Sequence, residues 1–235
     1  MEIGAFIAEM ERLAPSDLAE EYDLKKIGLI VEGRPSIDKV CCSLDATPRV
    51  VERVMDLGAD MLVVHHTPIW DPITRLTGPS ARILRLLLAA DINLYVMHTN
   101  FDKAEGGVND ALCRHLNITE TGPLSFGRIG KCSLTVEEIA DRLSCSLRIW
   151  GAPDEIERLA VVAGSGFDPE LMDEAAAKGA DAFLSAEMKH AVARIAPLPC
   201  IEATHYALEA PAMRELAAGR NWDYIDDPPV IRHVS

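Results

Sequence analysis

Gly58-Ala59-Asp60-Met61-Leu62-Val63-Val64-His65-His66-Thr67-Pro68 is the stretch whose reading decides the fold. A glycine corner leads into a run of four apolar residues, and the run ends in two adjacent histidines and a proline turn. Apolar residues bounded by turn signals in this way predict a short buried strand over 61–64. The histidines then fall where the strand leaves its sheet, the carboxyl edge at which open α/β sheets bind ligands. Neighbouring strand residues point to opposite faces, so both rings serve one site only if the backbone turns there, as an exit toward Pro68 allows.

Working outward, residues 37–44 read as the preceding strand, and Thr47 and Pro48 open a helix as N-cap and first helical residue, closed at Gly58. A leucine-rich helix over 80–90 leads to a strand over 92–97, which ends in His98-Thr99-Asn100-Phe101-Asp102 ahead of a helix over 108–116. The amino-terminal part predicts helices over 3–13 and 16–22, with Gly28-Leu29-Ile30 and Gly33-Arg34-Pro35 as irregular connection. After Gly122-Pro123 the pattern partly restarts. A strand over 125–134 is followed by a capping-box helix from Thr135, strands at 146–150 and 159–163, and a helix over 169–178. A strand at 182–184, a helix over 187–195, a strand at 200–203, a helix over 206–217 and an irregular tail complete the chain. This alternation predicts two similar α/β domains, 1–122 and 123–235, with mainly parallel or mixed sheets and a metal site between them.

A faint internal repeat fits that plan. Pro48 precedes Gly58-Ala59-Asp60, and Pro169 precedes Gly179-Ala180-Asp181, by the same interval. Each half also ends a strand in a histidine followed by an acid at the same spacing, His98 with Asp102 and His205 with Glu209.

The charge balance narrows the function classes. With 37 acidic and 23 basic residues the formal net charge is −14, which disfavours general binding to nucleic acid or an anionic membrane. No apolar run approaches the ~20 residues that span a bilayer, and Met1-Glu2-Ile3-Gly4 lacks the basic start of a signal peptide, so a cytoplasmic location is expected. The six cysteines contain no C-x-x-C pair and read as small core residues in a reducing compartment.

The candidate chemistry is metal binding. Imidazole nitrogen with carboxylate oxygen suits iron, zinc, manganese or nickel better than calcium or magnesium. His205 and Glu209 share a face at the head of a helix. With His65, His66 and Asp102 from strand ends they make five donors, too many for one catalytic zinc and too few to saturate two ions, which leaves room for water or substrate. Gly164-Ser165-Gly166 lacks the third glycine of a dinucleotide fingerprint and reads as a tight turn. Glu187 and His190 read as a surface pair, His115 and His233 as structural or solvated, and Trp70 as packing rather than as a pocket wall.

Several segments together resemble a known family. Val63-Val64-His65-His66-Thr67-Pro68-Ile69-Trp70, Met97-His98-Thr99-Asn100-Phe101-Asp102 with Gly107-Val108-Asn109-Asp110, and Thr204-His205-Tyr206-Ala207-Leu208-Glu209 resemble the Nif-three-like proteins, also called GTP cyclohydrolase I type-two homologues. Gly179-Ala180-Asp181, Ile27-Gly28-Leu29 and Ser43-Leu44-Asp45-Ala46-Thr47 extend the resemblance over most of the chain. The family usually has proline where Thr67 stands, glycine where Thr204 stands, and threonine-glycine-acid in place of Ser185-Ala186-Glu187. The resemblance implies that His65, His66, Asp102, His205 and Glu209 ligate two divalent ions per chain, with His98 beside them. It also implies two α/β domains and a homohexameric toroid. The function it implies is a metal-dependent hydrolase of a nucleotide or related heterocycle, with His98 shuttling a proton. The alternative is a carrier or chaperone that delivers iron or another metal into cofactor assembly.

Overall fold

In the computed structural model, residues 1–153 and 155–232 are described, so His233 lies outside the described residues. The chain divides into two compact units: Met1–Ala104 with the chain from Met213 onward, and Glu105–Ala212.

The first unit contains α1 (Ile3–Leu13), β1 (Gly28–Val31), β2 (Val40–Asp45), α2 (Pro48–Leu57), β3 (Met61–His66), α3 (Gly78–Ala89), β4 (Asn93–Val96) and α4 (Thr99–Lys103). The second contains α5 (Val108–His115), β5 (Thr119–Pro123), β6 (Arg128–Lys131), α6 (Val136–Leu143), β7 (Arg148–Trp150), β8 (Arg158–Val161), α7 (Pro169–Ala177), β9 (Ala182–Ser185), α8 (His190–Ala193) and β10 (Cys200–Glu202). The division of the chain falls within α9 (His205–Arg220), after which β11 (Asp223–Tyr224) belongs to the first unit.

The first sheet has the order β1-β4-β3-β2-β11 and the second β5-β6-β8-β9-β10-β7. The central pairs β2–β3, β3–β4, β8–β9 and β9–β10 are parallel, while β1, β6 and β7 run antiparallel to their inner neighbours. Parallel strands covered on both faces need apolar side chains on both, which is why 61–64 and 182–184 read as unbroken runs rather than alternations. Val50, Val51 and Val54 of α2 close over Leu62, Val64 and Leu94 in the first core; Met172 and Ala175 of α7 do the same over Ala160 and Phe183 in the second.

The local signals work as read. Thr47 Oγ1 accepts from Val50 N at 3.1 Å, and Gly58 closes α2 in the left-handed conformation at φ 65°. Thr135 and Glu138 form the capping box of α6. The repeated aspartates do identical work: Asp60 Oδ2 accepts from Asp38 N and Lys39 N at 2.9 and 3.0 Å, and Asp181 Oδ2 from Glu157 N and Arg158 N at 3.0 and 2.8 Å. Each thus ties the entry of one strand to the start of the strand before it.

Other expectations differ. Residues 16–22 form 3₁₀ turns at Ser16–Leu18 and Glu21–Asp23 rather than a helix. Gly28-Leu29-Ile30, read as irregular, belongs to the edge strand Gly28–Val31, because its backbone finds β4 more than sixty residues away, a pairing no local pattern encodes. The helix expected over 187–195 shrinks to His190–Ala193, since Glu187 adopts φ 63°, which a helix cannot include. Gly122-Pro123 is no linker: it ends β5 and pairs with Arg128 and Ile129 of β6. The tail past Trp222 adds a strand beside β2, so the unit boundaries fall at 104/105 and 212/213 instead of at 122/123.

Candidate metal centre

In the first unit, the carboxyl ends of β3 and β4 present three histidines. One ligand atom from each of His65, His66 and His98 lies within 4.8 Å of the others. His65 is fully buried and its Nδ1 lies 2.7 Å from the Met97 carbonyl, to which an imidazole N–H donates. His66 Nδ1 sits 2.8 Å from Asp45 Oδ1, its register partner on β2. His98 Nδ1 sits 2.8 Å from Asp23 Oδ2. Asp102 Oδ1 lies 3.5 Å from His65 Nε2. The turn that carries His98 and Asp102 is stiff: His98 N donates to Asn100 Oδ1 at 2.9 Å, and Asn100 Nδ2 donates to the Ala14 carbonyl at 2.7 Å.

Asp23 is buried in a 3₁₀ turn, and Oδ2 also accepts from Thr99 N and Thr99 Oγ1 at 3.1 and 2.8 Å. Burial pushes its carboxyl up, but the His98 hydrogen bond and charge and the two Thr99 bonds outweigh burial and hold it below the ordinary value. The charged carboxylate therefore fixes the His98 tautomer. Next to it the Tyr22 hydroxyl is pushed up by burial and then by Asp23, Glu20 and Asp102.

In the second unit, His205 opens α9 and Glu209 stands one turn on, so both project from one face. His205 Nε2 and Glu209 Oε2 are 2.9 Å apart, and His205 Nδ1 lies 2.9 Å from Glu187 Oε1. Gly164-Ser165-Gly166 is the tight turn beneath them. Ser185 Oγ donates to the Gly164 carbonyl at 2.9 Å and accepts from Gly166 N at 2.8 Å. A Cβ at Gly164 would strike Glu209 Oε1 and come within 3.3 Å of His205 Nε2, so glycine leaves the space in which these donors sit.

The donor chemistry fits a resident divalent metal. In all four rings Nδ1 is engaged by a carbonyl or a carboxylate, the outer-shell pattern that fixes tautomer and orientation in metal-binding histidines. Nε2 is then the nitrogen that would ligate an ion.

The sequence reading missed Asp23, Asp45 and Glu187 as the partners that hold these rings. Glu187, expected to pair with His190 on the surface, instead holds His205. A signal existed for it, since it stands as far beyond Asp181 as His66 stands beyond Asp60. Asp45 was legible only once β2 and β3 were in register, and Asp23 had no local signal, lying 75 residues from His98. Trp70 is 45% exposed rather than packed away, its ring centroid 5.6 Å from that of His98. His115 is structural, with Nε2 2.8 Å from the Arg142 carbonyl.

A family model described as Duf34/NIF3 (NGG1p interacting factor 3) matches residues 1–220. A "GTP cyclohydrolase 1 type 2 homolog" of Streptomyces coelicolor is 32% identical across 94% of this chain and 88% of its own length. A protein of the same name from Methanocaldococcus jannaschii is 33% identical across 89% and 90%. Among solved structures, "Reduced HcgD from Methanocaldococcus jannaschii" superposes with TM-score 0.79 at 30% identity, covering 95% of this chain and 96% of that one. "Structural genomics, protein ybgI, unknown function" superposes with TM-score 0.86 at 28% identity, covering 97% and 99%.

Proposed function

This chain belongs to the DUF34/NIF3 family, and from that premise we propose that it is a metal-dependent hydrolase of a nucleotide or related heterocycle, using two divalent ions of iron, zinc, manganese or nickel. The observation that supports this reading is the one device repeated at His65, His66, His98 and His205, an engaged Nδ1 that sets Nε2 as ligand or base. His65, His66, Asp102, His205 and Glu209 would hold the ions, as the sequence resemblance implies. Bound divalent ions supply Lewis acidity and lower the pKa of water toward neutrality.

The remaining steps belong to the chain. Asp23 keeps Nδ1–H of His98 in place, so Nε2 is the atom that accepts a proton from the attacking water and returns it to the leaving group. Thr99 keeps Asp23 charged through that cycle. The name borne by the relatives fits a heterocyclic substrate. The proposal includes a homohexamer in the cytoplasm. Free thiols at all six cysteines agree with a reducing compartment, and no helix among the described residues is long and apolar enough to cross a membrane.

The test is turnover by metal-replete protein against a panel of nucleotides and heterocycles, with elemental analysis in parallel. We expect about two ions per chain and metal-dependent product formation that His98→Asn abolishes with both ions retained. Lack of turnover across the panel, with the ion passing to an acceptor, would replace the hydrolase by a metal carrier. A saturating value near one ion would remove the dinuclear reading, and a stable monomer in ultracentrifugation the hexamer.

A further inference from the structure

Beside the histidines of the first unit lies a group of side chains that neither the fold nor the metal reading uses. Trp70 stands in the irregular segment after β3, 45% exposed, with its ring plane at 89° to that of His98. Tyr22, exposed and adjacent in sequence to Asp23, has its ring centroid 6.4 Å from that of Trp70. Lys26 carries its ammonium 3.9 Å from the indole centroid and 5.9 Å from the tyrosine centroid.

Two features of this group point to a ligand. The first is exposure of large rings in a chain that has few of them: Phe6, Tyr95 and Phe183 are buried, whereas Trp70 and Tyr22 face solvent beside a donor cluster. Folding alone gains little from leaving an indole there, whereas a planar ligand gains a stacking surface. The second is the charge. In a chain of net charge −14, Lys39, Lys103, Lys131 and Lys178 each pair with a carboxylate, and of the other three lysines, Lys25, Lys26 and Lys189, it is Lys26 that lies over aromatic rings among the described residues. Lys26 forms no ion pair among the described residues, and the nearest acid in sequence, Asp23, is turned to His98 and Thr99. A ring face satisfies an ammonium through one side only, so Lys26 keeps N–H donors for an anion.

We propose that Trp70, Tyr22 and Lys26 form the subsite that selects the ligand of this centre, stacking a planar aromatic ring on the indole and holding an anionic group of the same ligand on the Lys26 ammonium. This rests on the reading that the neighbouring histidines mark the reactive centre, and it adds what that reading lacks, a physical basis for choosing an anionic heterocycle over a neutral one.

The experiment is equilibrium binding of a nucleoside monophosphate and of the corresponding nucleoside to the zinc-loaded full chain and to Lys26→Gln, Trp70→Ala and Trp70→Phe, with zinc content measured for each. Lys26→Gln should weaken the monophosphate by about tenfold, the scale of a lost charge-assisted hydrogen bond, and leave the nucleoside unchanged. Trp70→Ala should weaken both by about tenfold, as loss of a stacking partner does, and Trp70→Phe should restore most of it. A purely structural role for Lys26 would not separate the two probes, and one for Trp70 would lower the zinc content as well. Equal binding of the monophosphate by wild type and Lys26→Gln, unchanged binding by Trp70→Ala, or no binding of either probe to wild type overturns the subsite. If the pattern holds without any turnover, the hydrolase reading fails and the subsite stands. If turnover occurs with the same KM in Lys26→Gln and Trp70→Ala, the subsite fails and the hydrolase stands.

Discussion

The two units put metal-type donors on the same kind of scaffold and hold them in different ways. In each, three parallel strands follow one another across the sheet, β2-β3-β4 and β8-β9-β10, and an aspartate ties the middle strand to the one before it. In the first unit the donors leave the strand ends themselves: His65 is fully buried and locked to a backbone carbonyl. In the second, β9 ends in Ser185, which shapes a glycine turn, and the imidazole has moved to the first residue of a helix, where its side chain is 32% exposed and is held by a Glu187 side chain that is 59% exposed. A ring set into the core is positioned by folding; a ring on a helix end is positioned by neighbours that water can reach.

The sharpest way to break this comparison is to remove one ring from each side. His65→Ala opens a buried cavity and strands the Met97 carbonyl, so it should lower unfolding free energy by about 2–5 kcal/mol in denaturant titration. His205→Ala, partly exposed, should cost about 1 kcal/mol or less while still emptying its ion position by elemental analysis. Equal destabilisation by both would refute the contrast.

Gly164→Ala comes next. Its φ of 71° lies in the left-handed region, so alanine should cost about 1–2 kcal/mol, and the added methyl displaces the Glu209 carboxylate. We expect reduced occupancy at the His205 and Glu209 set in metal titration; undisturbed binding would show that the glycine turn does not shape this set.

The smallest effects separate the outer partners. Asp45→Asn should weaken the ion bound at His66 by about tenfold, the low end for loss of an outer-shell partner. Glu187→Gln, more exposed and screened by solvent, should weaken the ion at His205 by only about two- to fivefold. The comparison sharpens if competition with a chelator gives that order and collapses if the two are reversed.

Much of this was legible because it is written in neighbours. Thr47-Pro48 with Gly58, and Thr135 with Glu138, specify helix ends through side chains a few residues from the backbone groups they satisfy. The apolar runs that end in His65-His66 and His98 announce both the buried strands and the edge where donors gather. What escaped depends on distant chain. Whether Gly28–Val31 is a strand is decided by β4, and whether Gly122-Pro123 is a linker by β6.

By itself, then, the sequence determined the parallel α/β plan, the family and the identity of the candidate ligands, since periodicity, caps and donor type are local properties of the chain. Only the tertiary structure decided which nitrogen of each histidine would face a metal. That choice is made by Asp23, Asp45, Glu187 and the Met97 carbonyl, each brought to its ring by the folded chain rather than by adjacency. A tautomer is fixed by the hydrogen bond on the opposite nitrogen, and that bond exists only after the fold has formed.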